Sequence, residues 1–214
     1  MRLTFILLLC LSAGITCAQE FTFVFLHKKT DKVQLPKEEV DKIMEGHMAN
    51  INRLAKEGKL VAAGPFDGGG GIFIFKSKSK DEVSLWLQDD PGIRAQRWDV
   101  EMLPYQPRIG GVCAVSEPYE MTSYHLVHYR PSVMKFNVQS ADETLKKHEG
   151  FIQSLARSGN VITYGSFGGL DGGVLVMKGE LQQEAVLADP AVAESIFTPD
   201  FKKLWIAKGA FCEK

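Results

Sequence analysis

The chain repeats itself. Displaced by 101 residues, Phe25 falls on Leu126, His27 on His128, Met44 on Leu145, His47 on His148 and Ile51 on Ile152. Leu54-Ala55 then falls on Leu155-Ala156, Gly58 on Gly159, Gly64 on Gly165 and Phe66 on Phe167. The displacement becomes 102 where Ile72 to Lys76 meets Val174 to Lys178, and 99 where Asp90-Pro91 meets Asp189-Pro190. A period near 100 residues is domain-sized and not that of a solenoid repeat, so each copy has to build its own core. Any fold assigned to one copy must therefore serve the other.

Within a copy the hydrophobic period changes in a fixed order. Phe21 to His27 is an aromatic and β-branched run, the pattern of a strand. Pro36 opens a helix, along which Val40, Ile43, Met44, His47, Ile51, Leu54 and Ala55 recur at helical spacing. Gly58 suits the helix end, where a left-handed residue is wanted. Leu60 to Ala63 and Ile72 to Phe75 read as strands joined through Gly68 to Gly71. Asp81 to Gln88 reads as a short helix stopped at Asp90-Pro91, and Val100 to Tyr105 as a last strand. The second copy follows with Ser123 to Tyr129, Ala141 to Arg157, Val161 to Tyr164, Val174 to Met177, Leu181 to Leu187 and Leu204 to Lys208.

This order is βαββαβ, so the expected fold class is α+β with two tandem ferredoxin-like units. Each unit covers one face of its sheet with its own helices and leaves the other bare. Two bare faces in one chain bury each other, which predicts an intramolecular pseudo-dimer within a monomer. Pro104, Pro107, Gly110, Gly111 and Pro118 mark the connection. The expected divisions are 1–18, 19–106, a linker at 107–121, and 122–214.

The first division is a leader. Arg2 precedes an apolar run from Leu3 to Leu11, and small residues lead to Thr16 and Ala18 before a cut at Gln19. The run is shorter than the roughly 18 to 20 apolar residues that span a bilayer. A secreted or periplasmic protein, free of the membrane after cleavage, is the expectation. Thr16 is a poor residue ahead of a lipid-modified Cys17, which argues against a lipoprotein anchor. Cleavage leaves Cys113 and Cys212, and an even count outside the cytosol permits one disulfide or two separate thiols. With 25 basic and 26 acidic residues the chain lacks the positive excess that phosphate-backbone binding requires, so nucleic acid is not expected as a partner.

Chemistry-bearing residues recur in matched places. His27 and His128 end the first strand of each copy, His47 and His148 lie on the first helix, and Asp90 and Asp189 follow the second. Tracing the strands up and down places Gly64 to Gly71, and Gly165 to Gly173, at the same end of each unit. The bland readings are a hydrogen-bonded core histidine for His47 and His148, a turn opener for each Asp-Pro, and a simple hairpin for the glycines. There is no Gly-Lys-Ser/Thr to complete a phosphate loop, no His-Glu-x-x-His or Cys-x-x-Cys for zinc, and no Gly-x-Ser-x-Gly elbow.

The helical His47, then Leu54-Ala55-Lys56-Glu57-Gly58-Lys59-Leu60, Ala63-Gly64-Pro65, Gly68 to Gly71 and Asp90-Pro91 together resemble the YciI-like (YCII-related) domain. The second copy is looser, with His148, Leu155 to Gly159, Gly165-Ser166 and Asp189-Pro190. The resemblance implies ferredoxin-like units paired as a dimeric α+β barrel. It also implies a His-Asp active site, here His47 with Asp90 and His148 with Asp189. His27, His128, Gly64, Pro65 and Gly165 would then line the substrate site. Some relatives act as lyases on small cyclic or aromatic compounds without metal or organic cofactor, so a cofactor-free lyase or isomerase is one expectation. The other is a non-catalytic module that holds a small molecule in the same pocket.

Overall fold

A computed structural model describes residues 21–132 and 138–213, and the leader expected at residues 1–18 lies outside the described residues. The first half runs β1 (Phe21–Lys28), α1 (Lys37–Lys56), β2 (Leu60–Pro65), β3 (Gly71–Phe75), α2 (Lys80–Leu87), α3 (Pro91–Arg94) and β4 (Trp98–Ile109). The second runs β5 (Met121–Pro131), α4 (Ala141–Ala156), β6 (Val161–Ser166), β7 (Gly173–Met177), α5 (Gln183–Leu187), α6 (Pro190–Ala193) and β8 (Phe197–Ala207). The result is a mixed α+β fold on one eight-stranded sheet, ordered β2-β3-β1-β4-β6-β7-β5-β8, with antiparallel neighbours throughout.

The side-chain alternation of a strand sorts the core into layers. Phe21, Phe23 and Phe25 of β1 point into an inner core shared with Tyr105, Tyr124, Leu126, Phe167, Leu204 and Ile206. The intervening Val24 and Leu26 face the helices, where they pack with Leu54, Phe73, Val83 and Leu87. The second half has its own helix-facing core around Val127, Ile152, Leu175, Val186 and Phe197. Because both faces are buried, β1, β3 and β7 read as almost unbroken apolar runs.

The two outer strands of the sheet order come together. Phe66, just past β2, forms a bridge with Leu204 of β8, and the Asp67 N–H donates to the Lys203 carbonyl at 2.9 Å. A β-carbon at Gly64 would lie 2.4 Å from the Trp205 carbonyl oxygen, so glycine alone permits this approach. On the opposite seam the Tyr105 ring occupies the space a Gly165 side chain would need, with Cε2 at 2.2 Å. Gly64 and Gly165 thus serve strand packing between the halves.

Two boundaries differ from expectation. β4 does not end at Tyr105 but continues through Pro107, where it leaves β1 and pairs with β6. Each proline sits where only one side of β4 is paired, so no ladder hydrogen bond is lost. Asp90-Pro91 stops α2 and also starts a helix. Asp90 caps α3 by accepting from the Gly92 and Ile93 N–H groups, with Pro91 at the first helical position, and Asp189-Pro190 repeats the device for α6.

Candidate functional site

His47 lies in α1 with Asn50 and Leu54 as that helix's buried residues. The preceding Gly46 lets α1 press against α3, since a β-carbon there would fall 2.8 Å from Pro91 Cγ. That approach carries the His47 ring to Asp90, whose side chain is fully buried. Nδ1 stands 2.9 Å from both carboxylate oxygens. The same carboxylate accepts from Asn50 Nδ2 at 3.0 Å, Gly92 N–H at 2.9 Å and Ile93 N–H at 3.1 Å. Asn50 is held in turn by Arg53, which donates to its Oδ1 at 2.8 Å.

All four partners of Asp90 are donors, so it is an ionised acceptor and His47 carries its hydrogen on Nδ1. Burial pushes the Asp90 carboxyl up. The hydrogen bonds from His47, foremost, and from Asn50 and the Ile93 N–H outweigh it and hold the group below the ordinary carboxylate range. His47 Nε2 is left with its lone pair and no hydrogen-bond partner among the described residues. Trp98 at 4.8 Å and Phe73 at 5.8 Å between ring centroids form apolar walls around the imidazole.

The second half repeats the pair and closes it. His148 Nδ1 is 2.6 Å from Asp189 Oδ2, and Ala191 N–H donates to Asp189 Oδ1 at 2.8 Å. His148 Nε2 is occupied by the Tyr164 hydroxyl at 2.9 Å. Burial holds that phenol protonated, raising it above the usual range. With Nδ1–H given to Asp189, Nε2 accepts the phenol proton. Tyr129 and Phe197 pack edge-on around the ring.

Both His-Asp pairs therefore come together in the structure. The expected convergence of His27 and His128 on them does not. Strand alternation places His27 and His128 on the inner side of the sheet, whereas His47 and His148 lie on the helix side. His27 Nε2 pairs with Glu101 Oε2 at 2.7 Å, and that hydrogen bond foremost holds Glu101 below the ordinary carboxylate range. His128 stacks on Phe25 with centroids 4.1 Å apart and meets Phe167 edge-on. Pro65 is exposed at the end of β2.

His128 Nε2 is buried without a partner. Burial, opposed by Glu101 and assisted by Arg130 and His27, pulls its pKa from 6.5 down to about 4. A base with a depressed folded pKa contributes full stability above the unfolded value. That contribution is lost as pH falls from 6.5 toward 4, because only the unfolded chain takes up the proton. The shift corresponds to about 3 kcal/mol. Urea unfolding of His128→Phe should accordingly show a flatter decline between pH 7 and pH 4 than the parent protein. Parallel declines would show that His128 does not carry this dependence.

Residue spacing alone did not single out three participants. Asn50 was detectable as a polar residue one turn after His47 on the buried face of α1. Ala63 and Tyr164 become meaningful only once β2 and β6 are placed beside the helical histidines.

Comparison with curated proteins gives no match. A crystal structure of a candidate monooxygenase from Fusobacterium nucleatum is 10% identical, covers 90% of this chain and 94% of its own, and superposes with a TM-score of 0.46. A crystal structure of a candidate chlorite dismutase is 9% identical, covers 89% of this chain and 95% of its own, and has a TM-score of 0.49. Residues 21–104, the stretch that holds His47, Asn50, Ala63 and Asp90 together, match the family model of the YCII-related domain.

Proposed function

We propose that the protein is an exported tandem YciI-like protein whose first His-Asp pair performs general acid-base catalysis on a small cyclic or aromatic molecule. In this reading the halves are two ferredoxin-like copies. They close as an intramolecular pseudo-dimer, so a monomer suffices. The observation that carries the catalytic reading is the state of the two histidines: His47 has Nδ1 locked on Asp90 and Nε2 open, while both nitrogens of His148 are engaged.

The chemistry follows from that lock. Neutral His47 takes a proton at Nε2 from a substrate C–H beside a carbonyl, and the bonding pair moves into a new double bond. Asp90 stabilises the imidazolium that forms. If a leaving group on the adjacent carbon departs with its electron pair the reaction is a lyase reaction. If the proton returns to another carbon, it is an isomerisation. Such proton transfer contributes typically about 10²- to 10⁴-fold. No cofactor is needed to balance either route.

The test is a thermal-shift screen of the mature chain against small cyclic carbonyl and hydroxyl compounds, with product analysis of each hit. Turnover should disappear in His47→Ala and persist in His148→Ala. Hits that bind without conversion would replace the enzyme with a binding module. Conversion unchanged in His47→Ala would place the chemistry elsewhere.

A further inference from the structure

Residues 63 and 164 hold the same place in the two ladders. Ala63 pairs with Phe73 one residue before Gly64 meets Ile72, and Tyr164 pairs with Leu175 one residue before Gly165 meets Val174. Both belong to the helix-facing cores of their own halves. Tyr164 fills its place with a phenol whose hydroxyl lies on His148 Nε2 and whose ring stands edge-on to the imidazole, with centroids 5.7 Å apart. Ala63 sends nothing toward His47.

We infer that position 63/164 determines which His-Asp pair accepts a ligand, and that the second pair is a latent site filled by the protein's own phenol. The inference rests on reading the halves as copies with a site at His47. The Tyr164 side chain then serves as an internal template for an occupant: a neutral hydroxyl on a flat ring, donating to the imidazole Nε2. Ala63 carries no group that could reach His47 Nε2, and in the first half the imidazole is flanked by Phe73 and Trp98 alone among the described aromatic rings. The protein takes one ligand per chain because one of its two sites has made its ligand covalent.

Three features support an occupant over simple repacking. The hydrogen-bond geometry at His148 is complete, with a donor on one nitrogen and an acceptor role on the other. Tyr164 is 4% exposed, so its hydroxyl is a fixed partner and not a surface contact. The network that orients His47 is the more elaborate of the two, since Asn50 and Arg53 have Phe151 and Ser154 as counterparts at the 101-residue displacement. The better-oriented imidazole is the one left open.

The probe is 4-methylphenol, the tyrosine side chain as a free molecule, titrated calorimetrically into the mature full chain. The unmodified protein should bind one molecule, Tyr164→Ala two, and Ala63→Tyr none. Tyr164→Phe keeps the ring packing and should still bind one. Its His148 imidazole ¹⁵N resonance should shift on loss of the phenol proton. Circular dichroism and melting confirm that each variant is folded. If Tyr164→Ala fails to fold, the Ala63→Tyr and Tyr164→Phe results decide the matter. Zero or two sites in the unmodified protein, no gain in folded Tyr164→Ala, or undiminished binding in Ala63→Tyr would each overturn the inference. Binding counts do not depend on turnover, so a failed search for a reaction leaves this result intact, and the converse also holds.

Discussion

Asp90→Ala is expected to lower the unfolding free energy by about 3–5 kcal/mol, the usual loss when one partner is removed from a buried, hydrogen-bonded charge network. The carboxylate satisfies His47 Nδ1, Asn50 Nδ2 and the N–H groups of Gly92 and Ile93, and deletion leaves all four donors without it. It also removes the α3 cap. Asp189→Ala should cost less, since that carboxylate's hydrogen bonds are to His148 and the Ala191 N–H. Urea unfolding at pH 7 measures both. Equal losses, or a loss below about 1 kcal/mol for Asp90→Ala, would show that the network is not organised around Asp90.

Asp90→Asn separates support from chemistry. Its carbonyl oxygen can keep the Gly92 and Ile93 caps while its amide meets the Asn50 Nδ2 donor, so the substitution should cost less stability than Asp90→Ala. Its amide, however, replaces one of the two oxygens that face His47 Nδ1 and donates there, which favours the imidazole hydrogen on Nε2. A protonated Nε2 is a donor and no longer a base. The substitution should therefore abolish any proton abstraction by His47 while leaving a folded protein, a separation that a purely structural aspartate would not produce.

The repeated pattern in the sequence made the element order legible, because two stretches had to satisfy one order of elements. It also paired His47 with Asp90 and His148 with Asp189, since histidine and Asp-Pro recur together at nearly constant displacement. What it could not supply was the face of the sheet. His27 and His47 were placed at one end of the unit by tracing strand direction, yet side chains on a strand alternate across the sheet, and the two histidines are divided by it. The packing role of the glycines was hidden for a related reason: Gly64 and Gly165 are required where another strand approaches, and that strand belongs to the other half of the chain. Tyr164 was hidden because it departs from the repeat. Identity between the two halves marks what they share, whereas Ala63 against Tyr164 is a mismatch.

Replacing both Cys113 and Cys212 with Ser is expected to cost about 2–5 kcal/mol. The two are joined by a disulfide across 99 residues, a span for which chain entropy alone predicts up to about 4.7 kcal/mol. The bond does more than shorten the unfolded chain. The Cys113 N–H also donates to the Ala210 carbonyl at 2.9 Å, so the segment after β4 is tied twice to the tail after β8. Ala210 and Phe211 of that tail belong to the inner core, with Phe211 edge-on to Tyr124 at 6.0 Å between centroids. Without the bond, the tail must hold Phe211 in place by packing and a few backbone contacts, as terminal segments do only when tied down. The double variant should therefore lose stability and show early proteolytic release of its C-terminus. Thiol titration of the unfolded, unreduced protein should find none free, and two would refute the bridge. Protein prepared with its thiols kept reduced should match the double variant. The full stability is then available only in an oxidising compartment, which ties this bond to the proposed export of the chain.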